Sequence, residues 1–159
     1  MTIKRNIPVE SKKDFGFREF TFWVVRHQQA IADRLGIHIT DFKCLGVLHR
    51  KGAMTPKILA AEMAVSTAAM TTIIDRLERV GYVQRKRESH DRRSLTVHAT
   101  AQSRKRVTRL YKSLEDQRDG LNAGFTQEAL KVIFRYLRQA TVALQTATTT
   151  LAEDTNPKP

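Results

Sequence analysis

Between residues 55 and 99 the spacing of apolar positions shifts from a helical period to strand-like alternation. Thr55-Pro56 reads as a helix start, because a threonine hydroxyl can accept from an unpaired N–H and proline at the first helical position gives up no hydrogen bond. Ile58, Leu59 and Met63 follow at helical spacing. Ser66 is placed to cap a second helix with Met70, Ile73, Ile74 and Leu77 on one side. Gly81 suits a left-handed helix end, and Tyr82 beyond it can pack back on Leu77. Val83 to Glu88 and Ser94 to Ala99 predict two strands around a polar Ser-His-Asp turn, with Leu95 and Val97 alternating with Thr96 and His98. Helix, turn, helix, hairpin is the pattern of a winged helix-turn-helix.

The flanks are helical. Ser11 to Leu35 predicts a long helix with Phe17, Phe20, Val24, His27 and Ile31 in one stripe, but Phe15, Phe22, Trp23 and Val25 add apolar surface around the circumference. A helix apolar on several sides is buried against more than one neighbour, and a second copy of the chain could supply one. Thr40 is the expected cap of a helix over Asp41–Arg50, with Phe42, Leu45 and Leu48 as core and Lys51-Gly52 as stop; Ala53-Met54 then offers a strand-like step beside the hairpin. Thr100 caps a helix to about Leu121 with Val107, Leu110, Tyr111 and Leu114 inward. Thr126 and Gln127 open a last helix carrying Leu130, Ile133, Leu137 and Leu144. The expected fold is mainly α with a small β-hairpin wing. Its division is a loose arm over 1–10, a helical dimerisation bundle from 11–38 and 100–152, a winged helix-turn-helix over 39–99 and a tail over 153–159.

Charge narrows the partner. The 159 residues carry 28 Lys and Arg against 16 Asp and Glu, a net +12, which favours a polyanion: nucleic acid or an anionic membrane surface. No apolar run approaches the ~18 residues of a membrane span. The opening MTIKRNIPVESKKD lacks the apolar middle of a secretory signal, and Cys44 is the only cysteine, so a cytoplasmic chain without a membrane partner or a disulfide is expected. A Gly-rich phosphate loop and a nucleophile with a base partner are both missing, so the chain reads as neither an enzyme nor a cofactor binder. His27, His38 and His49 lack metal-ligand spacing.

The residues Leu59-Ala60, Met63, Val65-Ser66, Met70-Thr71, Ile73-Ile74-Asp75-Arg76-Leu77-Glu78 and Gly81-Tyr82-Val83, followed by Asp91-Arg92-Arg93-Ser94 and Thr100, resemble the MarR family of bacterial transcription regulators. The motif covers roughly residues 40 to 105. The pattern departs at the wing's exit, where the family often has Leu before the Thr and Gly three residues after it; here these are Ala99 and Ser103. The resemblance implies a homodimer on double-stranded DNA, repression by default, and in many members release by a small aromatic or phenolic effector. The corresponding pocket lining here would be Trp23, Arg26, His27, His38 and Phe42, residues that equally suit a core and hinge without ligand.

With Met70, Ile73, Ile74 and Leu77 inward, the second short helix turns Ser66, Thr67, Ala68, Ala69, Thr71, Thr72 and Asp75 outward. Small hydroxyl and methyl side chains let a helix sit deep in the major groove and offer contacts to thymine methyls. Thr55 and Lys57 are placed to touch phosphate, and Arg76 joins this set. The hairpin adds Arg85, Lys86, Arg87, Arg92 and Arg93. The resemblance implies that an arginine at the tip, Arg92 or Arg93, enters the minor groove, where narrow A·T tracts concentrate negative potential. Asp91 is a poor phosphate contact and is expected to hold the wing by accepting from Arg76 or a neighbouring arginine. The competing reading is a winged helix for non-specific DNA binding or protein interaction.

Overall fold

A computed structural model describes residues 9–87 and 95–154 of the chain. Its elements are α1 (Val9–Leu35), α2 (Ile39–Lys51), α3 (Pro56–Glu62), α4 (Thr67–Arg79), β1 (Val83–Arg87), β2 (Leu95–Ala99), α5 (Ala101–Ala123) and α6 (Gln127–Asp154). This is the expected mainly helical architecture with a two-stranded antiparallel hairpin, in the register Val83↔Ala99, Arg85↔Val97, Arg87↔Leu95. Met54 adds the anticipated strand-like step: its N–H donates to Val97 O and Val97 N–H donates back to Met54 O at 2.9 Å.

Local chemistry sets most boundaries. Thr55 Oγ1 accepts from Ile58 N at 3.3 Å with Pro56 at the first turn of α3, and Ser66 Oγ accepts from Ala69 N at 3.2 Å to open α4. At the far end of α4, Gly81 sits at φ +74°, its N–H donates to Glu78 O, and Tyr82 N–H donates to Leu77 O, both at 2.9 Å. That paired arrangement satisfies two carbonyls the helix would otherwise leave open. Tyr82 is buried, and its hydroxyl donates to Leu35 O at 3.2 Å, tying the end of α1 to the end of α4. Around these ties lies the core: Leu45 and Leu48 of α2, Leu59 of α3, Met70, Ile74 and Leu77 of α4 and Val97 of β2, all without solvent exposure.

The start of α2 differs from expectation. His38, in extended conformation, precedes the helix without a side-chain cap, and Thr40 lies within the first turn, its hydroxyl 3.5 Å from Asp41 Oδ1. This register places Asp41 inside the first turn, where a carboxylate is favoured by the helix dipole. Within one copy, Ile31 of the α1 stripe is buried, while Phe20 and Val24 are exposed, as are Phe22, Trp23 and Val25. Ile58 is exposed as well. On α6, Leu130 and Ile133 are half-buried and Leu137 and Leu144 exposed.

Contacts within one copy group the chain into Met1–Leu110 and Tyr111–Pro159, a division that falls within α5. No single helix among the described residues is long and apolar enough to cross a membrane.

Candidate nucleic-acid interface

The N-terminal face of α4 is built from short side chains standing in solvent. Ser66, Thr67, Ala68, Ala69, Thr71 and Thr72 are exposed, while Met70, Ile73, Ile74 and Leu77 bury the opposite side. Most hydroxyls on this face are already engaged: Ser66 in its cap, Thr71 donating to Thr67 O at 3.0 Å and Thr72 donating to Ala68 O at 3.2 Å. With their donors turned back onto the helix, Thr71 and Thr72 present oxygen lone pairs and methyl groups outward. Thr67 has no such bond among the described residues and keeps its donor. Thr55 is half-buried at the N-terminus of α3, and Lys57, the second residue of that helix, is exposed.

The hairpin carries its cations unequally. Arg85 and Arg87 lie two residues apart on β1 and so share a face, with Lys86 on the other. Arg85 is held by the C-terminal half of α4, bonded to Asp75 Oδ1 at 2.5 Å and to Glu78 through both side chain and backbone N–H. Burial works against the Arg85 charge, but these two carboxylates outweigh it and raise its pKa. Asp75, expected to face outward with the threonines, is thereby neutralised. Lys86 and Arg87 are exposed and pair with no carboxylate among the described residues. Asp91, Arg92 and Arg93 lie outside the described residues.

Arg76 is placed on a different partner from those expected. Its Nε and Nη2 donate to the two oxygens of Asp41 at 2.9 and 2.5 Å, and this bond raises its pKa further. Asp41 is 1% exposed and the Arg76 side chain 32%. The pair clamps α2 to α4 and fixes the pitch of the helix that carries the threonine face. Sequence reasoning passed over Asp41; the signal was an acidic residue amid the apolar positions of a core helix.

Beneath this clamp, burial and the nearby Asp41 push the Cys44 thiol up to about 12, so it stays protonated. Ser103, 1% exposed where the resemblance leads one to look for glycine, donates its hydroxyl to Thr100 O at 2.8 Å and lies 3.2 Å from His49 Nε2. With the hydroxyl proton directed to Thr100, the Nε2–H tautomer completes that contact. Burial, and then Arg104 and Arg50, lower the His49 pKa.

The five candidate effector-pocket residues come from α1 (Trp23, Arg26 and His27) and from the start of α2 (His38 and Phe42). Trp23 is exposed, with Nε1 donating to Glu19 at 2.7 Å and its ring edge-on to Phe22. The Arg26 guanidinium lies 5.9 Å from the Phe22 ring centroid. His27 is half-buried, Phe42 is core, and His38 borders an open depression with Asp33, Gly36 and Ile37.

Comparison with known proteins agrees with this geometry. A family model described as the MarR family matches residues 37–95. An HTH-type transcriptional regulator of Bacillus subtilis (strain 168), YcgE, is 33% identical over 124 residues, covering 78% of this chain and 80% of that protein. Among solved structures, a MarR family protein from Bacillus stearothermophilus superposes with a TM-score of 0.68 at 19% identity, over 85% of this chain and 94% of that one. NadR in complex with 4-hydroxyphenylacetate superposes with a TM-score of 0.58 at 18% identity, over 88% and 97%.

Proposed function

The chain belongs to the MarR family of winged helix-turn-helix transcription regulators, and from that premise we propose that it is a cytoplasmic homodimeric repressor that reads a pseudo-palindromic operator. The observation that carries this reading is the exposed, charge-free N-terminal face of α4, set by two capped helix starts and flanked by the exposed wing cations Lys86 and Arg87. Ser66, Thr67, Ala68, Ala69, Thr71 and Thr72 enter the major groove. Thr55 and Lys57 meet phosphate at the start of α3, and Arg87 with Arg92 or Arg93 grips the flanking backbone and minor groove, with Asp91 bracing the tip. Arg76 and Arg85 serve the interface by aiming α4 and the wing, since both already bind carboxylates.

Residues 39–99 form the reading module in this account, and 11–38 with 100–152 the dimerisation region. Support for the latter is the large apolar surface exposed on one copy: Phe20, Phe22 and Trp23 on α1, and Phe134, Tyr136 and Leu144 on α6. Monomeric soluble proteins rarely expose apolar patches beyond a few hundred Å². A two-fold dimer sets its recognition helices about 34 Å apart, one DNA turn. A small aromatic or phenolic effector, received near Trp23, Arg26, His27, His38 and Phe42, would release the operator; the NadR complex supports the ligand class by likeness of fold alone.

The test is a gel-shift titration of genomic fragments against excess competitor duplex, repeated across salt concentrations. One retained site with a negative log–log salt slope, lost in Arg92→Ala/Arg93→Ala while the dimer survives, is the expected result. Equal binding to every duplex favours a non-specific DNA-binding protein instead.

A further inference from the structure

We infer that the exposed face of α4 reads adenine amino groups and thymine methyls, so that the base pairs beneath Thr71 and Thr72 are A·T pairs. This deepens the operator-reading proposal above and rests on it. The face is polarised. Thr71 Oγ1 donates to Thr67 O at 3.0 Å and Thr72 Oγ1 to Ala68 O at 3.2 Å. A carbonyl oxygen can only accept, so each hydroxyl proton is spent on the helix backbone and each oxygen keeps lone pairs alone. Asp75 follows at the three- and four-residue spacing that makes it their neighbour along the helix, and its side chain is 51% exposed. A carboxylate likewise only accepts. Its ion pair with Arg85 at 2.5 Å offsets the charge that would otherwise keep it from DNA.

Donors are placed elsewhere. Thr67 stands in the first turn, where the capped helix start favours phosphate. α4 holds no Lys, Asn or Gln, Arg76 is turned onto Asp41, and Arg79 lies in the last turn. The side chains that fork onto guanine O6 and N7, or onto adenine N6 and N7, are therefore missing from the part of the helix that enters the groove. What Ala68, Ala69, Thr71, Thr72 and Asp75 present there is three acceptors and a set of methyl groups.

Acceptors need donors, and the base donors in the major groove are adenine N6 and cytosine N4. Each kind of pair offers one amine, so the amine alone does not choose between them. The methyl does, because thymine carries one at C5 and cytosine does not. An A·T pair satisfies an acceptor and an apolar surface together. A G·C pair leaves the alanine and threonine methyls without a partner. The wing is the other source of an A·T preference, since an arginine in the minor groove favours narrow A·T tracts. Base analogues that alter one groove at a time separate the two sources.

Full-length protein is used to select a tight duplex from a random-sequence library at fixed salt, and single analogues are then placed along each half-site. Purine for adenine deletes the major-groove amine, and uracil for thymine deletes the methyl. 2,6-Diaminopurine for adenine leaves the major groove unchanged and adds an amine to the minor groove. At A·T pairs under α4, affinity should fall about fivefold with purine and about threefold with uracil, and stay within about twofold with diaminopurine. Thr71→Val/Thr72→Val removes the two oxygens and keeps the methyls. In that variant purine should cost less than about twofold while uracil still costs about threefold. An unchanged melting midpoint shows that the variant is folded. If diaminopurine weakens binding where purine and uracil do not, the A·T preference belongs to the minor groove and the inference is overturned. It is also overturned if no half-site adenine is sensitive to purine, or if purine costs the variant as much as the wild type. Enrichment of no duplex at all overturns the DNA reading itself, and this inference with it.

Discussion

Removing either partner of the Asp41–Arg76 clamp should destabilise the fold, and removing the arginine should cost more. Asp41 is 1% exposed, so Arg76→Ala leaves a carboxylate in the core with no cation. Breaking a buried pair in that way costs about 3–5 kcal/mol. Asp41→Ala strands a guanidinium whose side chain is 32% exposed and can turn to water. It forfeits charge-assisted bonds of about 1.5–3 kcal/mol gross, which solvent access reduces to about 2 kcal/mol. At about 2–4 °C per kcal/mol for a chain of this length, the midpoint should fall by about 10 °C or more in Arg76→Ala and by about 5 °C in Asp41→Ala. The assay is circular-dichroism melting at one fixed protomer concentration, because the proposed dimer would make the midpoint concentration-dependent. The double variant should lie near Asp41→Ala, since removing the carboxylate relieves the penalty that Arg76→Ala creates. If Asp41→Ala proved the worse single change, or if the two losses simply added, the buried-carboxylate reasoning would be wrong.

Three further outcomes are expected. His49 has a folded-state pKa below its ordinary 6.5 because burial, Arg104 and Arg50 disfavour its cation, so the unfolded chain binds more protons just below that pH. Stability should therefore decline as pH falls from about 6.5 toward the folded value, and His49→Gln should flatten that decline in urea titrations. Cys44, with its thiol pushed up to about 12 and no solvent exposure, should resist iodoacetamide at pH 8 in the native state and react in denaturant, as read by mass spectrometry. Because Thr71 and Thr72 turn their donors inward and methyls outward, replacing thymine by uracil in the bound half-sites should weaken binding about tenfold or more in total, at about 1 kcal/mol or less per methyl. An unchanged affinity in the gel shift would remove the methyl contacts from the account.

Features decided by neighbours in sequence were legible before any coordinates. Thr55 and Ser66 cap as their side chains dictate, Gly81 takes the left-handed conformation its missing Cβ permits, and Met54 pairs beside Val97. Thr40 misled because a threonine ahead of an apolar-periodic run looks like a cap, whereas the helix starts at Ile39 behind uncapped His38. Pairings across the chain were not legible: Asp41 and Arg76 are 35 residues apart, and no periodicity announces which buried acid meets which base. Arg85 was grouped with the phosphate-binding cations because charge was legible and its carboxylate partners on α4 were not. The apolar stripe of α1 was visible, but its exposure on Phe20, Phe22 and Trp23 was not, because periodicity records that a face is apolar and not what covers it.

On the proposed reading, two copies of the α4 threonine face read one short, symmetric DNA site. Footprinting the full-length protein on its highest-affinity genomic fragment, in excess competitor DNA, tests it most directly. One protected region with two inverted half-sites about one helical turn apart, at a stoichiometry of two chains per site, is expected. Protection that spreads uniformly with protein concentration, or a single asymmetric half-site bound by one chain, would contradict it.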